Sequence, residues 1–580
     1  MRIFALITVL AIVPLTVIAQ DMEQVAPRLP GDDDIVTGDE RERPGPVRPD
    51  RDIVEEEGDR EELLSELQGV VFISSMEEVD KDGLEGIDGV DARTNDVLES
   101  PDFAEVVDKY LGQPVTLLSL KKLNRDVVSF YAENDYPVVD VIIPEQDITG
   151  GVVQMVVLKG RLGNVKAEGN RHFSDELLTS RIRTDTGEVL RERSVLSNVR
   201  WLNRNPFRHV NLLYARGEEQ GETDVVLRTQ DRFPLRVYGG YEDSGNRQTG
   251  DDRWVAGFNW GNALGMDHQL NYQYTFNQDT DLFEAHSASY VIPLPWQHEF
   301  SVFGSHVETQ VKPGTLPGAL GIPGINLSGE SSQISSRYLI PLPDFESFGR
   351  YTHEVSLGHD YKTTNNNLEF GGIEVLDSDV DISQFVLNYS ASRPDKWGRT
   401  TFSTDLVYSP GGMMSNNEDE NFEAFDPFAE ADYTYAQFEA QRVQKLPRDF
   451  SLLGRATAQL SSTNLLGSEQ LGGGGYRTVR GYEERAINGD EGIILNLELR
   501  SPSMSLLKHA GHETYKDELQ FLVFWDYANL SSKRTQPDEK SQLHTVECRT
   551  RYTLFHTPVF QSALRLRLAV DGFGSAGRAG

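Results

Sequence analysis

The stretch QLNYQYTF, residues 269–276, decides the fold. Leu270, Tyr272, Tyr274 and Phe276 fall on one face of an extended chain, while Asn271, Gln273 and Thr275 fall on the other, because successive side chains of a strand point to opposite sides. The same alternation returns on both sides of it. In WVAGFNW the large residues Trp254, Phe258 and Trp260 share a face, and in IILNLELR Ile493, Leu495, Leu497 and Leu499 oppose Ile494, Asn496, Glu498 and Arg500. An apolar outside and a polar inside suit a lipid-embedded barrel with a wet lumen. A soluble sandwich also alternates, but about fifteen strands with a polar inner face would leave it no dry core. From residue 233 onward we read about fifteen such strands between 235 and 570, with almost no helical periodicity. Short turns (PLPWQH, KLPRD) alternate with longer acidic or Gly-rich loops such as NNEDENFEAFDPF, which reads as solvated surface.

Composition agrees and excludes several classes. The 580 residues carry 55 basic and 91 acidic side chains, a net charge of −36, and 38% are apolar. No internal run approaches the ~18 apolar residues of a membrane helix. So negative a chain would repel a polyanion, which argues against nucleic acid as a partner. The single cysteine, Cys548, excludes an intrachain disulfide and a Cys-based zinc site.

Ahead of the strands the texture differs. Residues 1–19 hold Arg2, an apolar run from Ile3 to Ile18, and small or short side chains before Gln20, which fits a cleaved export signal. Residues 20–69 are rich in Asp, Glu, Pro and Arg and read as a disordered linker. Within it, residues 55–67 can form a short helix with Leu63, Leu64 and Leu67 on one side, a possible plug or docking element. Two small α+β modules follow, 70–160 and 161–232. In the first, Leu120, Leu123, Val127 and Phe130 mark the buried face of a helix. In the second, Ser174 reads as an N-cap ahead of Leu177 and Leu178.

One segment inside the barrel region reads LGGGGYRTVRGYEERAINGDEG, residues 471–492. Its Val479-Arg480-Gly481-Tyr482 resembles the VRG(Y/F) motif of the outer-membrane polypeptide-transporter superfamily. Three further matches resemble the two-partner-secretion branch (TpsB type; haemolysin activators and filamentous-haemagglutinin exporters). GNRHF (169–173) and LNRNPF (202–207) resemble its second POTRA module, YEDSGNRQTG (241–250) the segment opening its barrel, and FWDYANL (524–530) the strand carrying its motif aspartate. The resemblance spans about residues 70–554. It implies a mainly β membrane protein: a transmembrane antiparallel barrel over 233–580, sixteen-stranded in the family, preceded by two periplasmic POTRA domains. It further implies that a loop over 467–492 folds into the lumen and that Arg480 pairs there with Asp526. Alternation in ELQFLVFWDY puts Leu519, Phe521, Val523 and Trp525 outward and Asp526 inward with Gln520 and Phe524.

The implied activity is export, and possible activation, of a large haemolysin- or adhesin-like exoprotein bearing an N-terminal secretion domain, without nucleotide or any other cofactor. The implied surroundings are outer-membrane lipid and the barrel-assembly machinery that inserts the chain. The POTRA modules would capture cargo on a strand edge; Val210, Leu212, Tyr214 and Arg216 share one face of a candidate strand, and ordinary core packing is the plainer reading of that face. An assembly insertase of the same superfamily, a plain porin and a β-rich adhesin are the alternatives. Enzymatic activity has no support: Gly472–Gly475 lacks a following GK[ST], and His509, Ala510, Gly511, His512 and Glu513 read as a turn rather than a metal site. The C-terminus departs from the family. Fifteen strands leave the last, FQSALRLRLAV, running outward with its edge unpaired, TVECRTRYTLFHTP lacks glycine, and DGFGSAGRAG is not a strand, as a truncated or altered end would give.

Overall fold

In the computed structural model, residues 59–555 and 563–564 are described, apart from 94–96, 220, 243, 246–248, 313–324, 344–350, 371–372, 506–515 and 535–541. The export signal, most of the linker, the HAGHE turn and nearly all of the last strand and tail lie outside them. The described residues divide into two compact units, one of residues 59–234 together with Gly265–Asp267, the other of Leu235–Leu264 and His268 onward.

The first unit opens with β1 (Glu62–Leu64), β2 (Gly69–Ile73) and β3 (Gly89–Ala92), then α1 (Pro101–Val107), β4 (Val115–Thr116), α2 (Leu117–Glu133), β5 (Val139–Ile142) and β6 (Val152–Lys159). Its sheet runs β3-β2-β6-β5. Thr116 and Ser119 form a reciprocal capping box that starts α2. The helix buries Leu120, Leu123, Val127 and Tyr131. Phe130, expected on that face, sits at its margin, its ring 5.0 Å from that of Phe103. The helix expected over 55–67 is absent from its described part: Glu62–Leu64 pairs instead with Val115–Thr116, and Leu67 is buried. Residues 59–69 thus belong to the first module rather than to a linker. A backbone ladder and one apolar anchor suffice where composition alone argued for disorder.

A second module follows with β7 (Arg161–Glu168), α3 (Asp175–Thr179), α4 (Glu192–Leu202), β8 (Arg208–Arg216) and β9 (Glu222–Asp231). Ser174 caps α3, its side chain accepting from the Leu177 N–H. The sheet order is β7-β9-β8, so β8 is an edge, paired among the described residues only with β9.

The second unit is the barrel. Its strands are β10 (Leu235–Glu242), β11 (Arg253–Ala263), β12 (His268–Phe276), β13 (Phe283–Pro293), β14 (Glu299–Gln310), β15 (Ile325–Leu342), β16 (Thr352–Phe370), β17 (Ile373–Asp395) and β18 (Gly398–Pro410). After the short helix α5 (Asp419–Phe425) come β19 (Asp432–Lys445), β20 (Ser451–Ser461), a hairpin β21 (Leu471–Gly473) and β22 (Ile487–Gly489), then β23 (Glu491–Arg500), β24 (Lys516–Ser531), β25 (Gln542–Phe555) and β26 (Ala563–Leu564). All but the hairpin form one fifteen-stranded antiparallel sheet in chain order. Of the expected strand over 559–570, the described part is Ala563–Leu564, paired with Leu554 and Phe555.

The dyad has the expected sense. Val237, Trp254, Leu357, Phe385, Leu497, Val523 and Trp525 are exposed on the wall, while Asn259, Asn271, Gln273, Gln384, Asn496, Glu498 and Asp526 are buried. β16 and β17 have 19 and 23 residues, about twice the ~9–11 that cross a bilayer, so both extend well past the hydrocarbon. The segment NNEDENFEAFDPF is not wholly solvated surface. It contains α5, whose Phe422 is fully buried in a cluster with Val380, Ile382, Tyr433, Leu465 and Leu466. One aromatic among many acids anchors it.

Candidate functional site: the lumenal loop

The connection from β20 to β23 enters the lumen as the β21–β22 hairpin, antiparallel from Leu471↔Gly489 to Gly473↔Ile487. Glycine is required at the approach. A Cβ on Gly473 would lie 3.0 Å from the Ile487 side chain and 3.2 Å from Ala528, and Gly474 and Gly475 hold φ of +117° and +94°. These are backbone conformations that L side chains rarely adopt. Gly481, inside the motif, also sits at φ +91°.

Past that turn, Val479 is fully buried with Leu471, Ile487, Ile494, Ala528 and Leu530, and Tyr482 packs at the rim of this cluster. The packing aims Arg480 at the wall. Its Nε donates to Asp526 Oδ2 at 2.7 Å and its Nη2 to Asp526 Oδ1 at 2.8 Å, and its backbone N–H donates to Oδ2 at 3.2 Å. The remaining Nη1 donates to Glu498 Oε2 at 2.5 Å. The guanidinium lies over the Phe524 ring, 3.6 Å from its centroid, a cation–π contact. Asp526 is held in turn by Asn496, whose Nδ2 donates to Oδ1 at 2.8 Å, and Glu498 accepts from Arg500 Nε at 2.6 Å. Asn496 and Asp526 are direct cross-strand partners on β23 and β24.

The side chain of Asp526 is 0% exposed and that of Arg480 11%. The pair is therefore locally dry within a polar lumen, where a bidentate arginine–carboxylate contact is strong and geometrically specific. Val479, Arg480, Gly481, Tyr482 and Asp526 thus meet as one constellation. Glu498, Asn496 and Phe524 complete it; alternation had put all three on the inward face without naming them as partners. The second candidate group is not a site of this kind. Val210 and Leu212 are fully buried in the second module's core, Tyr214 packs against that core, and only Arg216 is exposed.

The family described as haemolysin secretion/activation protein ShlB/FhaC/HecB matches residues 221–545, and a ShlB-type POTRA domain matches residues 86–160. The chain belongs to that family. Among curated relatives, the heme/hemopexin transporter protein HuxB of Haemophilus influenzae is 22% identical over 415 residues, 70% of each chain. The outer membrane transporter CdiB of Dickeya dadantii is 23% identical over 395 residues, 67% of each. Of solved structures, CdiB from Escherichia coli shares the fold with a TM-score of 0.66 at 18% identity, covering 89% of this chain and 88% of its own. CdiB from Acinetobacter baumannii does so with a TM-score of 0.56 at 15% identity, covering 94% and 93%. The ShlB/FhaC/HecB protein described here is an outer-membrane transporter that exports a partner exoprotein by two-partner secretion, with its POTRA region in the periplasm.

Proposed function

We propose that the partner passes through the barrel lumen and that the Arg480 loop is the plug that must shift to let it through. The observation that carries this reading is the anchoring of Arg480 on Asp526 and Glu498 inside the wall. Such an anchor holds the loop across the path while remaining breakable by side-chain exchange alone, so no nucleotide is required and folding outside the cell supplies direction. Residues 70–160 and 161–232, which we assign as two POTRA domains, would receive an extended segment of the partner's N-terminal secretion domain. The edge of β8 from Leu212 onward suits strand addition, the backbone rather than the side chains making the contact; at Val210 that edge is already capped by the Asn203 side chain, which bonds both its N–H and its C=O. The outward apolar wall suits contact with lipid and insertion by the barrel-assembly machinery.

Co-expression with a candidate exoprotein, scored for its appearance outside the cell, tests the reading. The chain should be necessary for release, and Arg480→Ala should abolish or cripple it while the barrel still inserts. Wild-type export by that variant removes the mechanism. An assembly insertase would instead leave other outer-membrane proteins misassembled when the chain is deleted.

A further inference from the structure

The Arg480 contacts hold only the tip of the loop. Its root carries a second buried carboxylate, Glu469, far along the sheet from the first anchor. Lys362 Nζ donates to Glu469 Oε1 at 2.6 Å, and Gln384 Nε2 and Tyr435 Oη donate to Oε2, each at 3.0 Å. These donors come from β16, β17 and β19, whereas the tip is bound to β23 and β24. The side chain of Glu469 is 1% exposed and that of Lys362 16%, so this is a built, desolvated site rather than a surface ion pair. A further layer orders it: Gln384 also donates to Asp360, which accepts from Arg337 at 2.6 Å, and Tyr433 donates to Gln384 at 2.7 Å. The neighbouring Leu465 and Leu466 pack on Phe422 of α5.

We propose that Glu469 is a second positioning residue for the plug, pinning the loop's root to the β16–β19 wall. When Arg480 lets go, the tip swings about this fixed root instead of the whole loop leaving the lumen. Release then has two stages, a partial opening set by the tip and a full opening set by the root. An ion pair between a strand lysine and a loop carboxylate that also accepts from Gln384, Tyr435 and Ser468 is the chemistry such a pivot needs, since withdrawing a partner from a buried carboxylate is strongly destabilising.

The inference rests on the plug reading of the loop, and single-channel recording in planar bilayers separates the two. Arg480→Ala should give a conductance step intermediate between wild type and a chain lacking residues 467–490. Arg480→Ala combined with Glu469→Gln should reach the full step of the deletion. Folding is checked by the heat-modifiable gel mobility of the barrel, and Lys362→Met replaces Glu469→Gln if the latter fails that check. The proposal is overturned if Arg480→Ala alone already shows the full step, or if the combined variants remain at the intermediate one. Should the deletion itself conduct like wild type, the plug reading falls first.

Discussion

Removing the carboxylate of Asp526 is the sharpest perturbation of the site. That side chain is fully buried and accepts from the Arg480 backbone, Arg480 Nε and Nη2, and Asn496. Breaking a buried ion pair by deleting one partner costs about 3–5 kcal/mol, against roughly 0–1 kcal/mol for an exposed one. Burial selects the first figure. Arg480 keeps Glu498 when Asp526 is lost, so the low end applies, about 3 kcal/mol. At about 1.4 kcal/mol per tenfold, Asp526→Ala should raise the ratio of undocked to docked loop about 100-fold. Single-channel open probability reads that ratio directly, and Arg480→Ala, Asp526→Ala and their double variant close a double-mutant cycle. The double variant should be little worse than either single one. Additive effects, or an open probability unchanged within about threefold, would refute the argument that this pair holds the tip.

Gly481→Ala forces a side chain into φ +91°, a strain of about 1–3 kcal/mol; export should fall while heat-modifiability stays intact. Leu212→Ala should destabilise the periplasmic modules by about 2–5 kcal/mol, as for a buried core leucine, whereas Arg216→Ala should leave their thermal midpoint unchanged. Thermal denaturation of the two variants distinguishes core packing from a surface role. Finally, Asp224 is held below the usual carboxylate range, first by the Lys166 ammonium that hydrogen-bonds it and then by the Asn164 N–H. A depressed folded-state pKa contributes stability above the unfolded value of about 3.9 and loses it as pH falls through the folded one. Urea midpoints of the periplasmic modules should therefore drop with acid below about pH 4, and Asp224→Asn should flatten that drop.

What could be read from the chain itself was whatever has a period or a motif. The wall of the barrel declares itself through QLNYQYTF and IILNLELR because lipid and lumen demand opposite chemistries of neighbouring residues. Arg480 and Asp526 came from motif resemblance, and alternation alone put Asp526 inward. Glu498 escaped because its closeness to Arg480 depends on the register that sets Asn496 opposite Asp526, and no local pattern encodes register between strands joined by a long connection. Glu469 escaped for a related reason: its partners Lys362, Gln384 and Tyr435 are 107, 85 and 34 residues away. In α5 and at residues 62–67, acidic composition masked single anchors, Phe422 and Leu67, that are only 0% and 3% exposed. Composition reports the average of a segment, whereas one buried side chain can fix it.

The central claim is that the exported chain travels inside the barrel past the Arg480 loop. Photo-cross-linking residues placed singly at the inward Asn271 and Gln273 and at the outward Tyr272 and Val523 test it most directly during export of a stalled partner. Adducts with the partner should form from the inward positions alone. Adducts from the outward positions, or none from the inward ones while export proceeds, would contradict it.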